Sequence, residues 1–226
     1  MEENTVAQAM PLIGDKAPVF KAITTKGKIN FPADFKGNWV ILFSHPADFT
    51  PVCTTEFMTF ASMQDEFRAL STELIGLSVD SLASHISWLR KINEFEWNDK
   101  KHVEVQFPLI VDISMEVSKL YGMIHPNQSG TSAVRAVFII DPEGIIRTVL
   151  YYPMSVGRNF DEIKRIVQAL QKTDEANCAT PADWRPGDDV VVPIPSTLEG
   201  ANELVNNPPS DGTYSLDWFL SFKPDK

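Results

Sequence analysis

The stretch from Ser44 to Glu56, SHPADFTPVCTTE, concentrates the groups able to do chemistry. It lies between an apolar run, WVILFS at 39–44, and a helical pattern that begins at Thr54, so Cys53 falls at the amino end of a helix. Unpaired backbone N–H groups and the positive end of the helix dipole favour thiolate over thiol there, which makes Cys53 a nucleophile near neutral pH. A thiolate of that kind can break a peroxide O–O bond. Position alone reads equally well as an inert core thiol, and the neighbours decide between the two. Thr50, three residues earlier, can aim its hydroxyl at the volume the sulfur faces, a role compatible with capping the helix. Pro46 and Pro51 offer no N–H and stiffen the loop, either walling the sulfur from water or simply punctuating the chain. Arg135, alone between apolar Val134 and Ala136 in a strand-like run, requires an anionic partner if buried; the alternative is an outward-facing charge.

The elements that must position these groups follow from hydrophobic periodicity. APVFKAITTKGKINF reads as a hairpin turning at Lys26-Gly27, and 39–44 as a strand buried on both faces. Phe57, Phe60, Met63, Phe67 and Leu70 recur at helical steps, which predicts a helix to about Ser71. A strand over 73–80 and a helix over 81–95 come next, the helix burying Leu82, Ile86 and Leu89. FPLIVD at 107–112 is another strand, and a short helix follows around Met115 to Tyr121. Two apolar runs joined by Asp141-Pro142-Glu143-Gly144 make a second hairpin. The last strong helix spans 159–171, capped by Asn159, with Phe160, Ile163, Ile166, Val167 and Leu170 on one side. Beyond Asn177, prolines 181, 186, 193, 195, 208, 209 and 224 predict an extended arm or small appended domain with little helix. This order predicts a mixed α/β sheet covered by helices on both faces, the thioredoxin-like architecture being one such fold, with a main domain over 1–172 and an extension over 173–226.

Composition narrows the partners. With 43% apolar and 22% charged residues the 226-residue chain has the balance of a folded protein, and its net charge of -10 opposes binding to nucleic acid or anionic membrane. No run reaches the roughly 18 apolar residues a membrane span needs, and the start MEENTVAQAMPLIGD lacks a secretory leader's basic and apolar regions. Two cysteines, Cys53 and Cys178, are too few for a disulfide scaffold, so a reducing cytoplasm is the expected compartment. They also build no zinc site, since C-x2-C and His-x3-5-His spacings are absent; no metal and no organic cofactor are expected.

Pro46, Thr50 and Cys53 reproduce the P-x-x-x-T-x-x-C signature of peroxiredoxins, and SHPADFTPVCTTE closely resembles the one-cysteine, or peroxiredoxin-six, subfamily. The resemblance runs on through LSVDS at 77–81, RAVFIIDP at 135–142, GRNFDEI at 157–163 and ATPADW at 179–184. It implies that Cys53 is the peroxidatic cysteine reducing hydrogen peroxide and organic hydroperoxides, that Thr50 and Arg135 bind peroxide, and that Pro46 shields the thiolate. It further implies that Glu56 and Arg158 join the network around the active-site arginine and that His45 lies beside the pocket. His85, His102 and His125 sit in polar or loop surroundings and are assigned no role.

The implied cycle passes through a Cys53 sulfenic acid reduced by an external thiol, because the C-L-D-W-x-x-C of ring-forming relatives reads Ser215-Leu-Asp-Trp-Phe-Leu-Ser221 here. Cys178 reads better as a partly buried small residue than as a resolving thiol. Subfamily members pair as dimers, some as rings of five dimers, so a homodimer, or a decamer, is implied, with Tyr214, Trp218 and Phe219 as anchors. Rival functions are weaker. A lipid hydrolase of this subfamily uses a serine in G-x-S-W, but the corresponding stretch is Gly37-Asn38-Trp39; a dithiol oxidoreductase needs C-x-x-C, but Glu56 stands three places after Cys53. A holdase role, independent of Cys53, remains as a non-enzymatic alternative.

Overall fold

The structure, a computed structural model, describes residues 10–207 and 209–225. Residues 1–9, the first part of the start read above, and Pro208 of the tail therefore lie outside the described residues. The chain divides into two compact units between Phe160 and Asp161.

The first unit is built on a seven-stranded sheet. β1 (Phe20–Thr24) and β2 (Gly27–Phe31) form the opening hairpin, and β3 (Trp39–Ser44) leads through a loop into α1 (Pro51–Ala69). β4 (Thr72–Ser78), α2 (Leu82–Ile92), the small β5 (Glu96–Trp97) and β6 (Lys100–Lys101) hairpin, β7 (Leu109–Val111) and α3 (Glu116–Leu120) follow. The second hairpin pairs β8 (Arg135–Ile140) with β9 (Ile146–Tyr152). Strand order is β2-β1-β7-β4-β3-β8-β9, with β3, β4 and β7 mutually parallel and the hairpins antiparallel on either side. Parallel neighbours joined through α1 and α2, flanked by hairpins, are the thioredoxin-like arrangement.

β3 explains how the sheet is covered. All six of its residues are buried, and they alternate: Val40 and Leu42 join a cluster with Phe20, Phe31, Tyr121 and Phe138, while Phe43 packs on Phe57, Phe60 and Phe107 of the opposite face. Helices thus cover both faces, α3 on one and α1 on the other. The turn between β8 and β9 is fixed by Asp141, whose Oδ1 accepts from the backbone N–H of Glu143 and Ile145 at 3.1 and 2.8 Å, with Gly144 taking the left-handed φ of 81°.

One expectation is corrected. α2 does not bury Leu82, Ile86 and Leu89; its buried residues are His85, Trp88 and Ile92, a stripe at equally good helical spacing whose polar atoms find partners. The tail, read as an extended arm or a small appended domain with little helix, holds one short helix. The second unit takes all of α4 (Phe160–Ala176) but its first residue, the helix continuing past Gln171, with β10 (Val190–Val191), α5 (Leu198–Asn206), β11 (Tyr214–Asp217) and β12 (Leu220–Lys223). α5 starts where Thr197 caps it, its hydroxyl accepting from Gly200 N–H at 3.0 Å, so the local Ser-Thr signal outweighed the flanking prolines. Its strands form a sheet in the order β10-β12-β11, and Ala169, Trp184 and Val190 make a small core with Cys178 against it.

Candidate active site

The loop after β3 ends in a strained step. Phe49 takes a left-handed φ of 54°, where bulky residues rarely sit. Thr50 follows in extended geometry as the N-cap and Pro51 opens α1, the one helical position where a missing N–H costs nothing. Pro51 is exposed and acts as this helix start, whereas Pro46 is buried. The Thr50 hydroxyl donates to the Ala47 carbonyl at 2.9 Å and does not cap the helix. The Thr50 carbonyl accepts from the Thr54 N–H at 3.0 Å and its hydroxyl at 2.8 Å. Cys53 lies in this first turn and is fully enclosed, 0% exposed.

Arg135, at the start of β8, points Nη1 at Cys53 Sγ over 3.3 Å and at Glu56 Oε2 over 2.7 Å. Its Nε and Nη2 both donate to the Met154 carbonyl, at 3.1 and 2.7 Å, so the planar fork is held from behind. Glu56, one turn after Cys53 on α1, also receives Arg158, with Nε on Oε1 at 2.9 Å and Nη2 on Oε2 at 2.7 Å. Arg158 Nη1 donates to the carbonyls of Ser44 and Ala136, tying the ends of β3 and β8 together, and its guanidinium lies 5.2 Å from the Phe43 ring centre.

All of these side chains are buried, so their charges matter. Burial alone would push the Glu56 carboxyl up, but Arg158 and then Arg135 hold it below the usual carboxylate range. Within the bonded group two guanidinium charges meet one carboxylate charge. One positive charge is left, and a Cys53 thiolate would balance it.

A second buried network adjoins the loop. His45 Nε2 lies 3.0 Å from Asp48 Oδ1, and His85 Nδ1 lies 2.8 Å from Asp48 Oδ2. The Asp48 N–H donates to Asp80 Oδ2 at 3.0 Å, which also accepts from the Ser78 hydroxyl at 2.7 Å. Burial works against the Asp48 charge, but hydrogen bonds from both histidines win and bring its pKa to about 2. Desolvation lowers that of His45 in spite of Asp48. His45 Nδ1, buried between the Trp88 and Phe57 rings, has no hydrogen-bond partner, an arrangement that costs about 1–3 kcal/mol. His45, Asp48 and Asp80 approach closely enough to hold a metal ion, yet the bonds above already use both Asp48 oxygens and Asp80 Oδ2.

Of the residues singled out in the sequence, Cys53, Arg135, Glu56 and Arg158 therefore share one bonded cluster, Thr50 and Pro46 sit in the adjoining loop, and His45 bonds to Asp48 and not to that cluster. Asp48 and His85 were given no role. His85, read as either solvated or locally hydrogen-bonded, is buried and hydrogen-bonded, while His102 is exposed. The spacing of His85 to Trp88 and Ile92 on α2 was the available signal.

A family model described as the AhpC/TSA family matches residues 13–149, and one for the C-terminal domain of 1-Cys peroxiredoxin matches 169–207. A Methanosarcina mazei peroxiredoxin is 61% identical over 217 residues, covering 96% of this chain and 99% of its own. The chain belongs to the peroxiredoxins. Among solved structures, a yeast mitochondrial 1-Cys peroxiredoxin superposes with a TM-score of 0.81 at 39% identity, covering 95% of this chain and all of its own. Peroxiredoxin 6 of Arenicola marina, in a cysteine-to-serine mutant form, gives 0.78 at 33% identity, covering 95% and 98%. The likeness to one-cysteine peroxiredoxins agrees with the serines at 215 and 221. This peroxiredoxin is a thiol-dependent peroxidase, an oxidoreductase that uses a peroxide and a thiol reductant. No helix among its described residues is long and apolar enough to cross a membrane.

Proposed function

We propose that Cys53 is the peroxidatic cysteine of a one-cysteine cycle on hydrogen peroxide and organic hydroperoxides. The observation that carries this reading is Arg135 Nη1 at 3.3 Å from an enclosed Sγ whose bonded surroundings hold one surplus positive charge. The thiolate attacks one peroxide oxygen, an S–O bond forms as the O–O bond breaks, and the departing oxygen takes a proton to leave as water or alcohol. Arg135 stabilises charge on sulfur and then on the peroxide oxygens, with Thr50 and the first N–H groups of α1 holding the substrate. Pro46, buried beside them, keeps bulk water out.

An external thiol then reduces the sulfenic acid. The yeast neighbour is described as resolved through glutathione and thioredoxin systems, and the same two classes are the proposed donors here. The residues over 173–226 form an arm for subunit contact in a homodimer in the cytoplasm; the exposure of Leu216, Trp218 and Phe219 supports that role. The test is Cys53→Ser assayed for peroxide consumption, with a sulfenic-acid trap on the wild type. Turnover in the variant within tenfold of wild type, or no trapped adduct on Cys53, would reject the reading.

A further inference from the structure

His85 lies in none of the catalytic contacts, yet it is completely buried and both its ring nitrogens are engaged. Nδ1 lies 2.8 Å from Asp48 Oδ2 and Nε2 lies 3.1 Å from the backbone carbonyl of Ile110 in β7. A carbonyl oxygen can only accept, so Nε2 carries a proton. The His45–Asp48 and Asp48–His85 contacts need one proton each, and a carboxyl group supplies at most one. Three hydrogen bonds in a row therefore require three protons. The hydrogen bonds from both histidines hold the Asp48 carboxyl in its charged form against the penalty of burial, so the shared proton sits on His85. Satisfying every bond places one proton on His45 Nε2, none on Asp48 and two on His85.

We propose that His85 is a buried imidazolium, and that its ion pair with Asp48 is the positioning device for the loop that carries Pro46 and Thr50. Asp48 stands midway between those two residues, and three contacts fix it: His45 just past β3, His85 from α2, and Asp80 just past β4, which accepts from the Asp48 backbone N–H; His85 is anchored in turn on the β7 carbonyl of Ile110. The Thr50 hydroxyl bonds to Ala47, the residue next to Asp48, so the grip on Asp48 sets where that hydroxyl points. Discharging His85 leaves two lone pairs facing each other, or frees the Ile110 carbonyl, and either change loosens the grip. The titratable groups facing His85 are Asp48 and His45, with Asp80 beyond Asp48; α1 presents the neutral Phe57 and Thr54 beside Trp88. The inference rests on the assignment of Thr50 and Cys53 to peroxide reduction.

The test has two arms on the full-length protein. In nitrogen-15 NMR of the wild type, the His85 ring is expected to show two protonated nitrogens at neutral pH, and the His45 ring one bare nitrogen, Nδ1. A bare nitrogen on His85 would overturn the proposal, whether or not the protein is active. In His85→Gln, which keeps a donor for Asp48 but not the charge, kcat/KM for hydrogen peroxide is expected to fall about 10- to 100-fold, as for a displaced positioning group. A rate within twofold of wild type removes the positioning role. Because the NMR arm needs no turnover and no variant, it separates a wrong protonation state from a wrong assignment of Cys53.

Discussion

Glu56 and Arg158 meet as a two-pronged pair shut away from solvent, Nε on Oε1 at 2.9 Å and Nη2 on Oε2 at 2.7 Å. The same carboxylate is the only charge that Arg135 and Arg158 have in common within the bonded cluster. It thereby fixes the guanidinium that faces the sulfur.

Glu56→Gln leaves two guanidinium groups buried with no anion between them. Its expected cost is about 3–5 kcal/mol of folding stability, the size seen when one partner of a buried ion pair is removed. Urea unfolding at neutral pH checks it.

The two depressed carboxyls make an acid limb. A group whose folded pKa lies below its unfolded value contributes stability above the unfolded value and loses it as pH falls through the folded one. For Asp48 the window runs from 3.8 down to about 2, and its contribution is about 2 kcal/mol; Glu56 adds to the same limb. Unfolding free energy measured against pH should fall through this window in the wild type and less steeply in Asp48→Asn.

Arg135→Lys removes the fork. One ammonium cannot reach Sγ, Glu56 and the Met154 carbonyl together, so kcat/KM for hydrogen peroxide is expected to drop at least about 100-fold, as on loss of a preorganised donor. Stopped-flow oxidation of Cys53 measures it, with circular dichroism confirming that the variant is folded.

Cys178 should not resolve the sulfenic acid. Burial pushes its thiol up, and Sγ turns to the Lys172 carbonyl at 3.8 Å. Cys178→Ser is expected to keep thiol-supported turnover, and peptide mapping after stoichiometric peroxide should find no Cys53–Cys178 disulfide in the wild type.

Ser215 and Ser221 are register partners on β11 and β12 with hydroxyls 2.7 Å apart. Ser215→Cys with Ser221→Cys should therefore close an internal disulfide on mild oxidation, worth about 2 kcal/mol to the small sheet. Mass spectrometry with and without reductant reads the bond, and thermal unfolding of the two forms reads the gain.

The strands and the helix after Cys53 were legible because their apolar residues repeat at clear periods; β3, α1 and the β8–β9 hairpin fall where WVILFS, the Phe57–Phe67 stripe and Asp141-Gly144 put them. α2 misled because two stripes compete on it, and Trp88 with a hydrogen-bonded His85 displaced the plain aliphatic one. Arg135 could be marked as needing an anion, but its partner Glu56 lies 79 positions away in sequence, a distance that periodicity does not bridge. The Asp48–His85 contact, 37 positions apart, was hidden for the same reason.

The complete enclosure of Cys53 would give the two halves of the proposed cycle different rate laws. Hydrogen peroxide is the size of two waters and enters by small fluctuations, so oxidation should rise in proportion to its concentration. A thiol borne on a peptide or protein cannot touch Sγ until the first turn of α1 opens, a local unfolding event with its own frequency. Reduction by such donors should therefore level off as thiol is raised, and the plateau should be the same for every peptide or protein thiol. The turnover ceiling would then be a property of the loop and helix start, from Phe49 to Thr54, and not of whichever reductant the cell supplies.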